Sequence, residues 1–144
     1  MLERYDPLQA PHPQEWLDTD ELTRIAVVES YHRRAGIRLP NVRLHATFHV
    51  IVENQVALGD ETPAAKTLER LMNEGVDRHE AIHAVASVLT DHITDVLRGS
   101  SLPSDPHAPY YAALEKLTVA SWRKNYVVPS PPRRAKSPRK SPRR

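Results

Sequence analysis

Apolar residues recur at helical spacing in four stretches of the chain, and each stretch carries its own start and stop signals. The first line is Leu22, Ile25 and Val28, which Glu29 and His32 continue toward the C-terminal end. A helix from about Thr19 to Ala35 fits this line: Asp18 and Glu21 have capping-box spacing, Gly36 is placed to end it, and Pro40 prevents its return. The second stretch, about Val42 to Leu58, directs Leu44, Phe48, Ile51, Val52 and Gln55 toward a core, with His45, His49 and Glu53 bordering that face. Thr62 followed by Pro63 opens a third helix, with the stripe Ala64, Leu68, Leu71 and Met72, and Gly75 closes it. Asp77 caps a fourth, about Arg78 to Arg98, whose core positions are Ile82, Val85, Leu89, Ile93 and Val96. Four amphipathic helices joined by short turns predict an all-α fold, a small antiparallel helical bundle occupying residues 18–99.

The flanks read differently. Residues 1–17 form a Pro-rich N-terminal arm with Pro7, Pro11 and Pro13, expected to be irregular, with Trp16 and Leu17 available to pack back as an anchor. Residues 100–116 read as a linker with a short helix from Tyr110 to Lys116, and 117–124 as an apolar-and-basic segment. Residues 125–144 read as a disordered basic tail.

Length and composition narrow the classes. The 144 residues give room for one domain plus tails. No apolar run approaches the roughly 18 residues of a membrane span, and the start lacks the apolar core of a secretory signal, so a cytoplasmic protein without a membrane partner is expected. With no cysteine, disulfides, thiolate metal sites and cysteine nucleophiles are excluded, and any metal must be held by nitrogen and oxygen. The net charge of +2 conceals two opposite pieces. Residues 129–144 carry 7 basic groups and no acidic ones, leaving 13 basic against 18 acidic in residues 1–128. An acidic body favours cations, and a basic tail favours anionic surfaces.

The candidate chemistry is a metal site. Five of the eight histidines lie between Leu44 and His92. His45, His49 and Glu53 at i, i+4 and i+8 would form one helical stripe roughly 12 Å long. His79, Glu80 and His83 crowd one turn of the fourth helix, and two Glu-x-x-His steps occur, Glu29 to His32 and Glu80 to His83. At i, i+3 a carboxylate and an imidazole share a helix face and can bind one ion, a step used by di-iron helical bundles. The candidate ligands are therefore Glu29, His32, His45, His49, Glu53, His79, Glu80 and His83. A purely structural account stands beside this one, with Glu80 as the capping-box partner of Asp77 and the histidines satisfied by backbone carbonyls. His79 to His83 is also a literal HExxH, the zinc-hydrolase helix motif.

Leu117-Thr118-Val119-Ala120-Ser121-Trp122-Arg123-Lys124 offers Leu117, Val119 and Trp122 as apolar anchors closed by two cations. Such a peptide can dock extended into a groove. The segment resembles the cargo-loading peptide of encapsulin nanocompartments, L-T-V-G-S-L-R-R in one iron-storing system, with Ala120, Trp122 and Lys124 as departures. The chain's size and its Glu-x-x-His steps also resemble the ferritin-like cargo proteins of that system. The resemblance implies a cargo that binds iron inside the shell and helps oxidise or nucleate it, with weak ferroxidase activity at most. It also implies an encapsulin shell protein as partner and assembly as a homodimer or higher homo-oligomer. In that family a glutamate precedes a Glu-x-x-His by about thirty residues, and Glu53, Glu80 and His83 would supply the arrangement here. The competing reading is a nucleic-acid-associated helical protein acting through the tail, whose Ser-Pro-Arg-Lys and Ser-Pro-Arg-Arg steps look like minor-groove-binding motifs. In a loaded cargo no nucleic-acid partner is expected.

Overall fold

The computed structural model describes residues 2–99 and 104–126, and among them every regular element is helical. Seven helices follow in order: α1 (Pro13–Asp18), α2 (Glu21–Arg34), α3 (Val42–Ala57), α4 (Ala64–Asn73), α5 (Arg78–Leu97), α6 (Ala108–Lys116) and α7 (Val119–Asn125). Local chemistry explains the boundaries. Asp20, rather than Asp18, caps α2 by accepting from the Thr23 amide at 2.9 Å. Asn41 does the same for α3 through Leu44, and Asp77 for α5 through Glu80 at 2.8 Å. Each side-chain oxygen satisfies one of the amides that a helix start leaves without a partner. Between α4 and α5 Gly75 takes φ +112°, a conformation that side chains disfavour, and the chain turns straight into the Asp77 cap.

The long helix α3 is the hub, packing against α1, α2, α4 and α5. One apolar cluster lies on its α4 and α5 side, where Val52, Leu68, Leu71, Ile82, Val85 and Leu114 are buried. A second, of Tyr5, Trp16, Ile25, Val28, Ala46 and Val50, lies on its α2 side. The seam between the two is where α2, α3 and α5 all present histidine.

Three expectations need correction. The N-terminal arm is ordered: Pro13, at the first helical position, starts α1, and Trp16 is completely buried with its indole N–H donating to Asn54 Oδ1 at 2.8 Å. Arg24 donates to the same oxygen at 2.8 Å, so the arm is locked to α2 and α3 together. Several presumed core positions also face outward. Leu22 is 68% exposed and Leu44 is 53% exposed, both in the first turn of their helices; Met72 and Val96 are exposed as well. Finally, residues 117–124 are neither extended nor free. Thr118 and Ser121 form a reciprocal cap, with each side-chain oxygen 3.0 Å from the other's amide, and this starts α7. Leu117 and Val119 are buried in the main cluster, Arg70 donates to the Leu117 carbonyl, and Glu74 accepts from the Val119 amide at 3.1 Å. The tail expected over residues 125–144 lies, from 127 onward, outside the described residues.

Candidate metal centre

Five histidines from three helices converge at the seam: His32 of α2, His45 and His49 of α3, and His79 and His83 of α5. Their ligand nitrogens all lie within 4.8 Å of one another. The tightest part is a triangle of Nε2 atoms, with His49 to His45 at 3.1 Å, His49 to His83 at 3.1 Å and His83 to His45 at 3.2 Å. Two nitrogens bound to one ion at about 2.0–2.1 Å with tetrahedral or octahedral angles stand about 2.9–3.4 Å apart, so the triangle already has the spacing of a shared ion. Helical register produces it: His45 with His49 and His79 with His83 are i, i+4 pairs on facing helices. His32 arrives from a third direction along the Ile25, Val28 and His32 buried face of α2.

The partners of the outer nitrogens fix which lone pairs point inward. His32 is fully buried, and its Nδ1 lies 2.8 Å from the Val28 carbonyl, which can only accept. Nδ1 therefore carries the proton, and Nε2 is left as a bare lone pair, buried and with no hydrogen-bond partner. His49 reaches the same tautomer by a longer route. The Tyr5 hydroxyl gives its single proton to Glu53 Oε2 at 2.6 Å, so at 3.2 Å its oxygen accepts from His49 Nδ1. His49 Nε2 is thereby a lone pair aimed at the triangle. His79 Nε2 is also buried without a partner. Buried acceptors without a donor cost about 1–3 kcal/mol each, a cost that a cation at the centre would remove.

The three glutamates proposed from sequence stand outside the cluster. Glu53 is buried, but both its oxygens are taken: Arg78 Nη2 donates to Oε1 at 2.6 Å, Arg78 Nη1 to Oε2 at 2.8 Å, and Tyr5 also donates to Oε2. Glu29 pairs with Arg33 at 3.2 Å and with Arg43 at 3.8 Å. Glu80 is exposed in the first turn of α5, where its amide is bound by Asp77, so the HExxH histidines converge without their glutamate. Tyr5 and Arg78 are the contributors that sequence reasoning missed. Arg78 had a signal, since it lies at i−4 from Ile82 and i−7 from Val85 on the buried line of α5, and an arginine there needs a buried anion. Tyr5 had none.

Burial and crowding hold four of the imidazoles below the usual histidine range. Burial, and then the neighbouring rings His32 and His79, hold His45 down to about 4, and burial with the rings of His79, His45 and His32 holds His83 down to about 3. His49 is pushed lower still by burial and the surrounding histidines, and burial lowers His79. An unfolded chain would titrate near 6.5 at each of these positions and so binds protons more tightly than the folded one, which makes stability rise with pH. The metal-free protein should accordingly hold its full stability above about pH 6.5 and lose it progressively as pH falls toward about 4. Thermal unfolding across that range in the presence of a chelator measures this, and a melting temperature flat in pH would contradict it.

Compared with family models, curated proteins and solved structures, the chain matches none. What fold and site define is a class: an all-helical protein with a five-histidine cluster that could hold a metal ion, among whose described residues no helix is long and apolar enough to cross a membrane. Tyr5→Phe probes the outer layer of that cluster. Removing the hydroxyl frees His49 to take either tautomer, and metal affinity should fall roughly tenfold to a hundredfold, the size seen when a ligand histidine loses its supporting partner. Isothermal titration would read the loss, and unchanged affinity would show that Tyr5 does not position His49.

Proposed function

We propose that this chain is a metal-binding protein that holds a ferrous ion on an all-imidazole centre. The supporting observation is the set of buried Nε2 atoms with no hydrogen-bond partner, His32 and His79, beside the Nε2 triangle of His45, His49 and His83. Imidazole suits iron, zinc, copper and nickel, whereas magnesium and calcium want oxygen ligands. Five donors exceed the four of a closed structural zinc site and suit a six-coordinate ion. With no carboxylate bridge among the five, the centre is a mononuclear one and does not follow the di-iron pattern of ferritin-like cargo.

The narrower reading is iron storage inside an encapsulin shell. It draws on the Leu117 to Lys124 resemblance and on the exposed cations Arg123 and Lys124 at the end of α7. Delivery would require α7 to bind the shell as it stands or to give up the burial of Leu117 and Val119. Elemental analysis of the protein purified without oxygen, alone and after co-expression with an encapsulin shell protein, tests both levels. One iron per chain supports the centre, and stoichiometric zinc would overturn the choice of metal. Failure to take up Fe²⁺, Co²⁺ or Zn²⁺ would overturn the site, and absence of the chain from purified shells would overturn the cargo reading.

A further inference from the structure

The five histidines do not face the solvent equally. His45, His49 and His83 line a cleft of about 250 Å³ together with Phe48, Ala86, Ser87 and Thr90, whereas His32 and His79 lie away from it. The cluster therefore has a closed side, where the Nε2 atoms of His32 and His79 are sealed from water, and an open side formed by the triangle. The cleft runs between the outer turns of α3 and α5, with the exposed Thr90 at its rim.

We propose that this cleft is the access route and binding site for a small exogenous ligand of two or three atoms, anionic or lone-pair-donating, that takes the coordination position left open beside the triangle. The inference rests on the metal-centre reading above and adds the ligand to it. Three features of the cleft select that class. Its size, about eight waters at about 30 Å³ each, leaves room for a small ligand with its hydration and falls below the roughly 300–1,000 Å³ of pockets for drug-sized ligands. Its walls carry no charged side chain, and imidazole ligands, unlike carboxylates, bring no charge of their own, so the whole charge of a divalent ion acts on whatever enters. The buried carboxylate Glu53 is neutralised by Arg78 and does not line the cleft.

The two hydroxyls narrow the choice further. Ser87 donates to the His83 carbonyl at 2.9 Å and Thr90 to the Ala86 carbonyl at 2.8 Å. Their protons are committed to the helix, so the wall opposite Phe48 offers lone pairs and methyl or methylene surface rather than donors. A ligand that needs several hydrogen-bond donors to be recognised, such as a carboxylate-bearing amino acid, finds none free on these two hydroxyls. A compact anion or a diatomic needs only the ion and room.

Cobalt(II) reports the test through its visible spectrum, which depends on the number and kind of its ligands. The full chain is loaded with one Co²⁺ and titrated with azide. Saturable spectral change with a single affinity is expected. Ser87→Leu, which fills the cleft while keeping all five histidines, should weaken azide at least about tenfold while cobalt stoichiometry stays at one. Thr90→Phe repeats the obstruction from an exposed turn, so that a folding defect in the first variant does not decide the outcome. Cobalt bound one to one with a spectrum indifferent to azide would overturn the ligand site while leaving the histidine centre intact. Azide binding unaffected by both variants would overturn the cleft as its route, and failure to bind cobalt at all would remove both.

Discussion

Replacing His49 with alanine is expected to abolish tight metal binding while leaving the helices folded. His49 is the corner common to two sides of the Nε2 triangle, and Tyr5 and Glu53 stand behind its ring. Structural sites of four ligands bind zinc with about 10–16 kcal/mol, so one ligand is worth about 3 kcal/mol, roughly a hundredfold to a thousandfold in affinity. The metal-free variant should lose less than a typical core truncation, because the wild-type ring is itself kept neutral at the cost of burial and crowding. Titration with Co²⁺ or Fe²⁺ alongside thermal unfolding separates the two quantities. Wild-type affinity in a folded His49→Ala protein would end the five-histidine centre as a metal site.

Arg78→Met carries the largest expected loss of stability. The Arg78 and Glu53 side chains are 6% and 0% exposed, and the guanidinium meets the carboxylate through two parallel hydrogen bonds and the Pro7 carbonyl through a third at 3.0 Å. Removing one partner of such a pair leaves a buried charge without compensation, at about 3–5 kcal/mol, a large part of what holds a small domain together. The pair as a whole is worth much less, since desolvating two ions offsets most of their attraction. The double variant Arg78→Met with Glu53→Gln should therefore recover most of the loss. Chemical denaturation of the three proteins gives the comparison, and a double variant no more stable than Arg78→Met alone would show that the arginine acts through Pro7 and the arm instead.

Helix existence and type were legible because caps and periodicity agreed. Asp77 before Arg78 to Leu97 and Asn41 before Val42 to Ala57 each pair a start signal with an apolar line. Periodicity names a face but not where that face runs off the body, which is why Leu22 and Leu44 lie on the right lines yet in solvent. The arm was illegible for a related reason: six residues of α1 carry too little pattern to distinguish a helix from a proline-rich coil, and only packing against Asn54 and Arg24 decides it. At the site, i, i+4 spacing found His45, His49, His79 and His83, and the Glu29 to His32 step at i, i+3 found the fifth. The same spacing could not exclude the glutamates, because it says that two groups share a face and nothing about a competing cation. Glu53 went to Arg78, whose partner choice is tertiary, and Glu80 faces solvent in the first turn of α5. The segment 117–124 reads as a peptide awaiting a groove, and the groove it occupies is its own chain, between Arg70, Glu74 and the main cluster.

Tyr5 contacts residues 44 and 48 positions later, and Pro7 is held by a residue 71 positions later. Contacts so distant in sequence close last, because their loop entropy is offset only once the intervening helices have met. The Pro7 contact spans more sequence than any pair within the histidine cluster, so the segment from Tyr5 to Pro7 acts as a latch across helices already brought together. A bulky insertion beside that segment, harmless to helix content, would slow the latch and leave Glu53 and Arg78 open to water for longer.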